Sequence, residues 1–113
     1  MITYTRELDG IPGATTKVNC SNAGAALSNS IIKNSDGQVA YAILVTAEGN
    51  DVRFIFGGAT LVQGAAGTGV GHILYDEQSI KITGADAIQT FKHANAVNGS
   101  AAYIQVTPFF ESA

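Results

Sequence analysis

The chain has 113 residues, a formal net charge of −3, 13% charged residues and 46% hydrophobic ones. That length is one domain, able to support its own core. The charge balance excludes nucleic-acid binding: the six Lys and Arg are scattered from Arg6 to Lys92, where such binding needs a clustered basic footprint. No window approaches the ~20 apolar residues of a membrane span, so a membrane protein of that kind is excluded as well.

The charged fraction is about half that of typical soluble domains, near 25%, and Ala, Gly, Ser, Thr and Asn take the place of the charges. Interfaces are depleted of charge at their centres. A charge-poor skin therefore suits a subunit packed into an oligomer or lattice, and equally a plain Ala/Gly-rich chain. Cys20 is the only cysteine, so no intrachain disulfide can form. The start carries Arg6, Glu7, Asp9 and Lys17 without an apolar run, which predicts a chain without a signal peptide, made in a cytoplasm.

In chain order, residues 1 to 13 mix charges with Gly10, Pro12 and Gly13 and read as an N-terminal arm. Residues 15–20 alternate weakly and predict a first strand. Leu27 to Lys33 predicts a second, with Asn34-Ser35-Asp36-Gly37 as its turn. Val39 to Thr46 is nearly continuous apolar and reads as a strand buried on both faces. Glu48-Gly49-Asn50 then leads into Asp51–Phe56, predicting a hairpin between the two. Within it, Val52, Phe54 and Phe56 share one face, with Arg53 and Ile55 on the other.

Beyond a Gly-rich joint come Val70–Tyr75, a turn over Tyr75–Ser79, and Ser79–Thr83 with Ile80 and Ile82 inward and Lys81 outward. Gly84 to Ile88 has room for one helical turn. Ile88–Phe91 predicts a further strand, and Asn95 to Ser100 a hairpin into Ala102–Phe109. Pro108 cannot donate to a ladder, which places that last strand at an edge. Short runs rich in β-branched and aromatic residues, separated by turn formers, predict an all-β domain over 1–113: a small antiparallel β-sandwich or jelly-roll-like barrel with an extended N-terminal arm.

The residues carry little chemistry. The glycines of 57–71 invite a phosphate-loop reading, but His72 and Ile73 stand where a Lys-Ser/Thr pair is required and a strand follows in place of a helix. The stretch reads instead as a flexible loop on a sheet edge that reaches a neighbouring subunit. His72 and His93, the only histidines, lack the surrounding carboxylates or thiolates of a metal site. Asp76 and Glu77 form a solvated turn pair, and Cys20 has no base partner. The expectation is no enzyme, no cofactor and no metal. The aromatics are spread one or two per strand, as a sandwich core is stocked. Phe109 and Phe110 must face opposite ways, so one of them lies outside the core as a contact anchor.

From Asp51 onward the order Val52-Arg53-Phe54, a loop, Val70-Gly71-His72-Ile73-Leu74, then Ser79-Ile80-Lys81-Ile82-Thr83, Ile88-x-x-Phe91-Lys92 and Ile104-x-Val106-Thr107 resembles small proteins encoded near the structural genes of tailed bacteriophages. The resemblance covers about 60 residues and departs from the pattern in its glycine-richer loop and in the closing Pro108-Phe109-Phe110. It implies a compact β virion component: a decoration or cement protein on the capsid, commonly a trimer, or a neck, tail or head-fibre part. A receptor- or glycan-binding module is the reading from another class. The partners implied are the major capsid protein or other virion subunits and further copies of the chain, with residence in the virion. The residues expected to make contacts are Ile2, Tyr4, Ile11 and Pro12 of the arm, Gly64, Gly67 and Gly69 of the loop, and Phe109 and Phe110.

Overall fold

The computed structural model describes residues 10–64 and 67–111; the expected contacts Ile2 and Tyr4 lie outside the described residues. Among the described residues nine strands form: β1 (Ile11–Pro12), β2 (Thr16–Cys20), β3 (Ala25–Ala26), β4 (Ala42–Glu48), β5 (Val52–Ile55), β6 (His72–Leu74), β7 (Ser79–Thr83), β8 (Lys92–Asn95) and β9 (Ala102–Phe110). Two short helices interrupt them, α1 (Asn29–Ile32) and α2 (Ala85–Thr90).

The pairing is nested. β2 pairs β9, β3 pairs β8, β4 pairs β7 and β5 pairs β6, all antiparallel. Two further pairings, β4 with β9 and β5 with β8, knit these into two sheets. One has the order β1-β9-β4-β7 with β2 also on β9, the other β3-β8-β5-β6. From β2 onward the first strand pairs the last, the next the last but one, and so inward, which is a long hairpin rolled up on itself: a jelly roll. The sheets stay separate among the described residues, so the form is a sandwich rather than a closed barrel.

Strict alternation supplies the core. On β9, Ala102, Ile104, Val106, Pro108 and Phe110 are buried while Tyr103, Gln105, Thr107 and Phe109 are half-buried on the outward face. β4 contributes Ile43, Val45 and Ala47, the facing sheet Val52, Phe54 and Leu74, and the end of α2 adds Phe91. Burial of these side chains at roughly 25 cal/mol per Å² is the main favourable term.

Several expectations are corrected. Residues 27–33 are not a strand: α1 forms there, with Ile31 N–H and Ile32 N–H donating to Ser28 C=O at 3.0 and 3.3 Å and Lys33 N–H to Asn29 C=O at 2.9 Å. Ser28 takes the N-cap position in extended backbone (φ −70, ψ 153), where serine is a favoured residue, and only Lys33 makes a bridge, to Val39. The strand predicted over 39–46 is shifted to Ala42–Glu48, and its outward Leu44 and Thr46 are half-buried rather than buried.

The hairpin predicted between it and 51–56 does not exist, because β4 and β5 lie in different sheets. The same holds for the closing hairpin, since β8 and β9 face each other across the core. A tight turn between two strands reads alike in sequence whether it closes a ladder or crosses between layers. Ile88 to Thr90 belongs to α2, and the strand begins at Lys92.

Pro108 is the clearest reversal. β9 is central, flanked by β4 on one side and by β1 and β2 on the other. Pro12 pairs Phe109 and Thr16 pairs Val106, so three residues, 13–15, oppose two, 107–108. This is a bulge. Pro108 C=O accepts Gly13 N–H at 2.8 Å, so its donorless nitrogen falls where the neighbouring strand is already interrupted, and no ladder bond is lost.

Candidate interaction surfaces

The Gly-rich segment is anchored, not loose. By register Arg53 lies opposite Ala94 and Ile73, on the face that carries Ile55 and not Phe54, yet it is only 4% exposed. Gly64, Thr68 and Gly71 lie over it. Arg53 Nε donates to Gly64 C=O at 3.0 Å, Nη1 to Gly71 C=O at 2.6 Å, and Nη2 to Thr68 C=O. Val62 and Val70 bridge to each other, and Gly64 N–H donates to Ala96 C=O at 2.8 Å. A guanidinium presents its donors in a rigid fork, which suits the organisation of several carbonyls at once. At Gly69 (φ +81) a Cβ would lie 2.6 Å from Val62 C=O, so glycine is required there. The sequence offered a signal for this in Arg53 itself, a cation on an otherwise apolar strand.

One end of the sandwich gathers four short connections: 21–24, 49–51, 75–78 and 96–101. Asn95, buried at 4% exposure, is the hub of the first and last of these. Its Nδ2 donates to Asn22 Oδ1 at 2.8 Å and to Ser100 C=O at 3.0 Å, and its C=O accepts Gln63 Nε2 at 3.0 Å. Asn22 Oδ1 also accepts Gly99 N–H at 2.9 Å. Asn50 Nδ2 reaches Ala101 C=O at 2.7 Å, and Asp51 Oδ1 accepts Asp76 N–H at 2.8 Å. This end carries Glu48, Asp51, Asp76 and Glu77, and its four connections hold no Lys, Arg or His. Tyr75 and Val97 stand out from it, about half exposed.

The outward face of the β1-β9-β4-β7 sheet is broad and mostly polar, with Lys17, Glu48 and Lys81 as the charges in its β2-β9-β4-β7 rows. Cross-strand rows place Lys17 beside Gln105 and Thr46 with Ser79, and Asn19 beside Tyr103 and Glu48. Hydroxyls pair along it, Thr15 with Thr107 at 2.7 Å and Thr46 with Ser79 at 2.6 Å. Lys17 Nζ sits 4.3 Å from the Tyr103 ring centroid, a cation–π contact that covers the ring.

The remaining expected residues are separated. Ile11 is exposed and paired to Phe110, and Pro12 is exposed and paired to Phe109. Phe110 is buried in the core while Phe109 is half-buried on the outward face, so Phe109 is the residue left for outward contact. Gly64 belongs to the Arg53-anchored turn, and Gly67 and Gly69 are exposed beside it.

His72 and His93 are not brought together, since both pair in register with Phe54 from opposite sides. His72 is exposed, its ring 5.4 Å from that of Phe54. His93 is 1% exposed, neither ring nitrogen has a hydrogen-bond partner, and burial lowers its pKa to about 4. Cys20 is also buried, its thiol pushed up to about 12 by desolvation. Among the described residues no three of His, Cys, Asp and Glu are placed to share a metal ion, and no helix is long and apolar enough to cross a membrane.

Comparison with protein-family models, with curated proteins and with solved structures gives no match.

Proposed function

We propose that the chain is a non-enzymatic structural subunit of a tailed-bacteriophage virion, a capsid decoration or cement protein that binds the major capsid protein and further copies of itself. The observation that carries this reading is the low charge of the chain as a whole, 13% charged residues against about 25% in typical soluble domains. A free monomer is normally clothed in charge, whereas a face that meets another subunit is depleted of it. The jelly roll supports the reading as a recurrent scaffold of viral capsid domains, although lectins and cupins share it and fold alone does not assign function.

Cementing needs no reaction. It sums modest contacts, apolar and hydrogen-bonded, repeated by symmetry across many copies. In this role the outward sheet face and the exposed Ile11 and Phe109 region bear on neighbours, and the Arg53-anchored loop presents Val62 and Val70, both about half exposed. Quantitative mass spectrometry of purified particles tests the proposal. A copy number near that of the major capsid protein, or a simple large fraction of it, is the expected result. A few dozen copies or fewer would move the chain to the neck, tail or head fibre. Absence from particles would remove the structural role and leave receptor or glycan binding.

A further inference from the structure

An asparagine side chain is lost when the backbone nitrogen of the next residue attacks its Cγ, closing a five-membered imide. That attack needs a small following residue and access to solvent. Of the seven asparagines, only Asn98 precedes glycine. It lies exposed in the 96–101 connection, and Gly99 beside it is also exposed, with φ +83 and open space where a Cβ would stand. The carboxamides of Asn22, Asn34, Asn50 and Asn95 are engaged in hydrogen bonds.

We propose that Asn98–Gly99 is a site of spontaneous, succinimide-mediated modification, gated by the hydrogen bond from Gly99 N–H to Asn22 Oδ1. While that bond holds at 2.9 Å, and Ser100 N–H closes the turn onto Val97 C=O at 3.0 Å, the Gly99 nitrogen keeps its proton. When the turn opens, the nitrogen gives its proton to a solvent base and bonds to Asn98 Cγ. The Cγ–Nδ2 bond breaks and the nitrogen leaves as ammonia. Water then adds to either imide carbonyl. One opening yields aspartate and the other isoaspartate, whose main chain runs through the β-carbon. Neither step needs an oxidant or a cofactor. The product adds a carboxylate to the end that already holds Glu48, Asp51, Asp76 and Glu77. The isoaspartate form also lengthens the chain between Asn95 and Ser100, which pulls Gly99 off Asn22. The site is independent of the virion reading.

The test is peptide mapping with isoaspartate detection on the full chain, aged in mildly acidic and mildly alkaline buffer. Asn98 is expected to convert ahead of the other six asparagines, and faster in the alkaline buffer, because the attacking species is the deprotonated amide. Asn22→Ala is expected to raise the rate about threefold to tenfold, the range that one neutral hydrogen bond is worth. The wild-type chain held unfolded in urea is expected to convert faster than the folded chain, which tests the gate without any substitution. Conversion of another asparagine first, or equal rates in the folded and unfolded chains, would overturn the proposal.

Discussion

His93 is the residue whose chemistry conflicts most with its surroundings. An imidazole with both nitrogens unpartnered in the core carries the desolvation cost of a donor and an acceptor, about 1–3 kcal/mol. Its folded pKa of about 4 lies below the 6.5 of the free group, so the unfolded chain takes up the proton first. The stability this neutral imidazole contributes is present above pH 6.5, falls as pH drops toward 4, and levels off below. The full loss is on the order of 3 kcal/mol. His93→Leu is expected to raise the urea midpoint at neutral pH, and the gap over wild type should widen in mild acid. A constant gap would show that His93 does not titrate in this way. Glu77 is a second local conflict, with φ +71 at the third position of the Tyr75–Gln78 turn. A left-handed residue with a Cβ is strained by ~1–2 kcal/mol, while glycine adds unfolded-state entropy. Glu77→Gly is therefore expected to stabilise by up to about 1 kcal/mol in denaturant melts, and a loss of stability would refute that balance.

At the scale of elements, one side chain holds a whole segment. Without Arg53, the carbonyls of Gly64, Thr68 and Gly71 lose their charged donor together. Arg53→Met is expected to cost about 3 kcal/mol and to raise hydrogen exchange across 57–71 well above that of β4 and β9. Arg53→Lys should restore little, because an ammonium on a flexible stem cannot reproduce the fork. If exchange in 57–71 stays at the wild-type level in either variant, the segment is held by Val62, Val70 and its glycines rather than by the guanidinium. Pro108 shows the complementary case, in which a residue that breaks ladders sits in a central strand because its neighbour is bulged at that point.

At the scale of the molecule, the nested pairing makes late strands complete early ones, since β2 pairs β9 and β4 lies between β9 and β7. Contacts so distant in sequence form together, which favours all-or-none unfolding. Cys20, on β2 and buried, reports on that transition. Its thiol is expected to stay inert to alkylation in the folded protein at neutral pH, reacting only as the sandwich opens. Phe110→Ala removes a core ring at the far end of β9, at a cost of about 3 kcal/mol or more. It should speed alkylation about a hundredfold if opening is global. An unchanged rate would mean that β2 detaches without β9.

The sequence by itself determined the class. Period-two alternation in Ala102–Phe110 and Ser79–Thr83 fixes which side chains face inward, whatever the strands pair with, and glycine and proline mark the joints. It also determined that Phe109 and Phe110 part company, because consecutive strand residues cannot share a face. Partner choice was decided only by the tertiary structure. Glu48 to Asp51 and Ala96 to Ala101 are turns in either arrangement, and nothing local distinguishes a hairpin from a crossing between layers. The same holds for Arg53 under its loop, Asn95 at its hub and His93 between two sheets. Each is polar by composition and becomes buried only because other segments of the chain close over it.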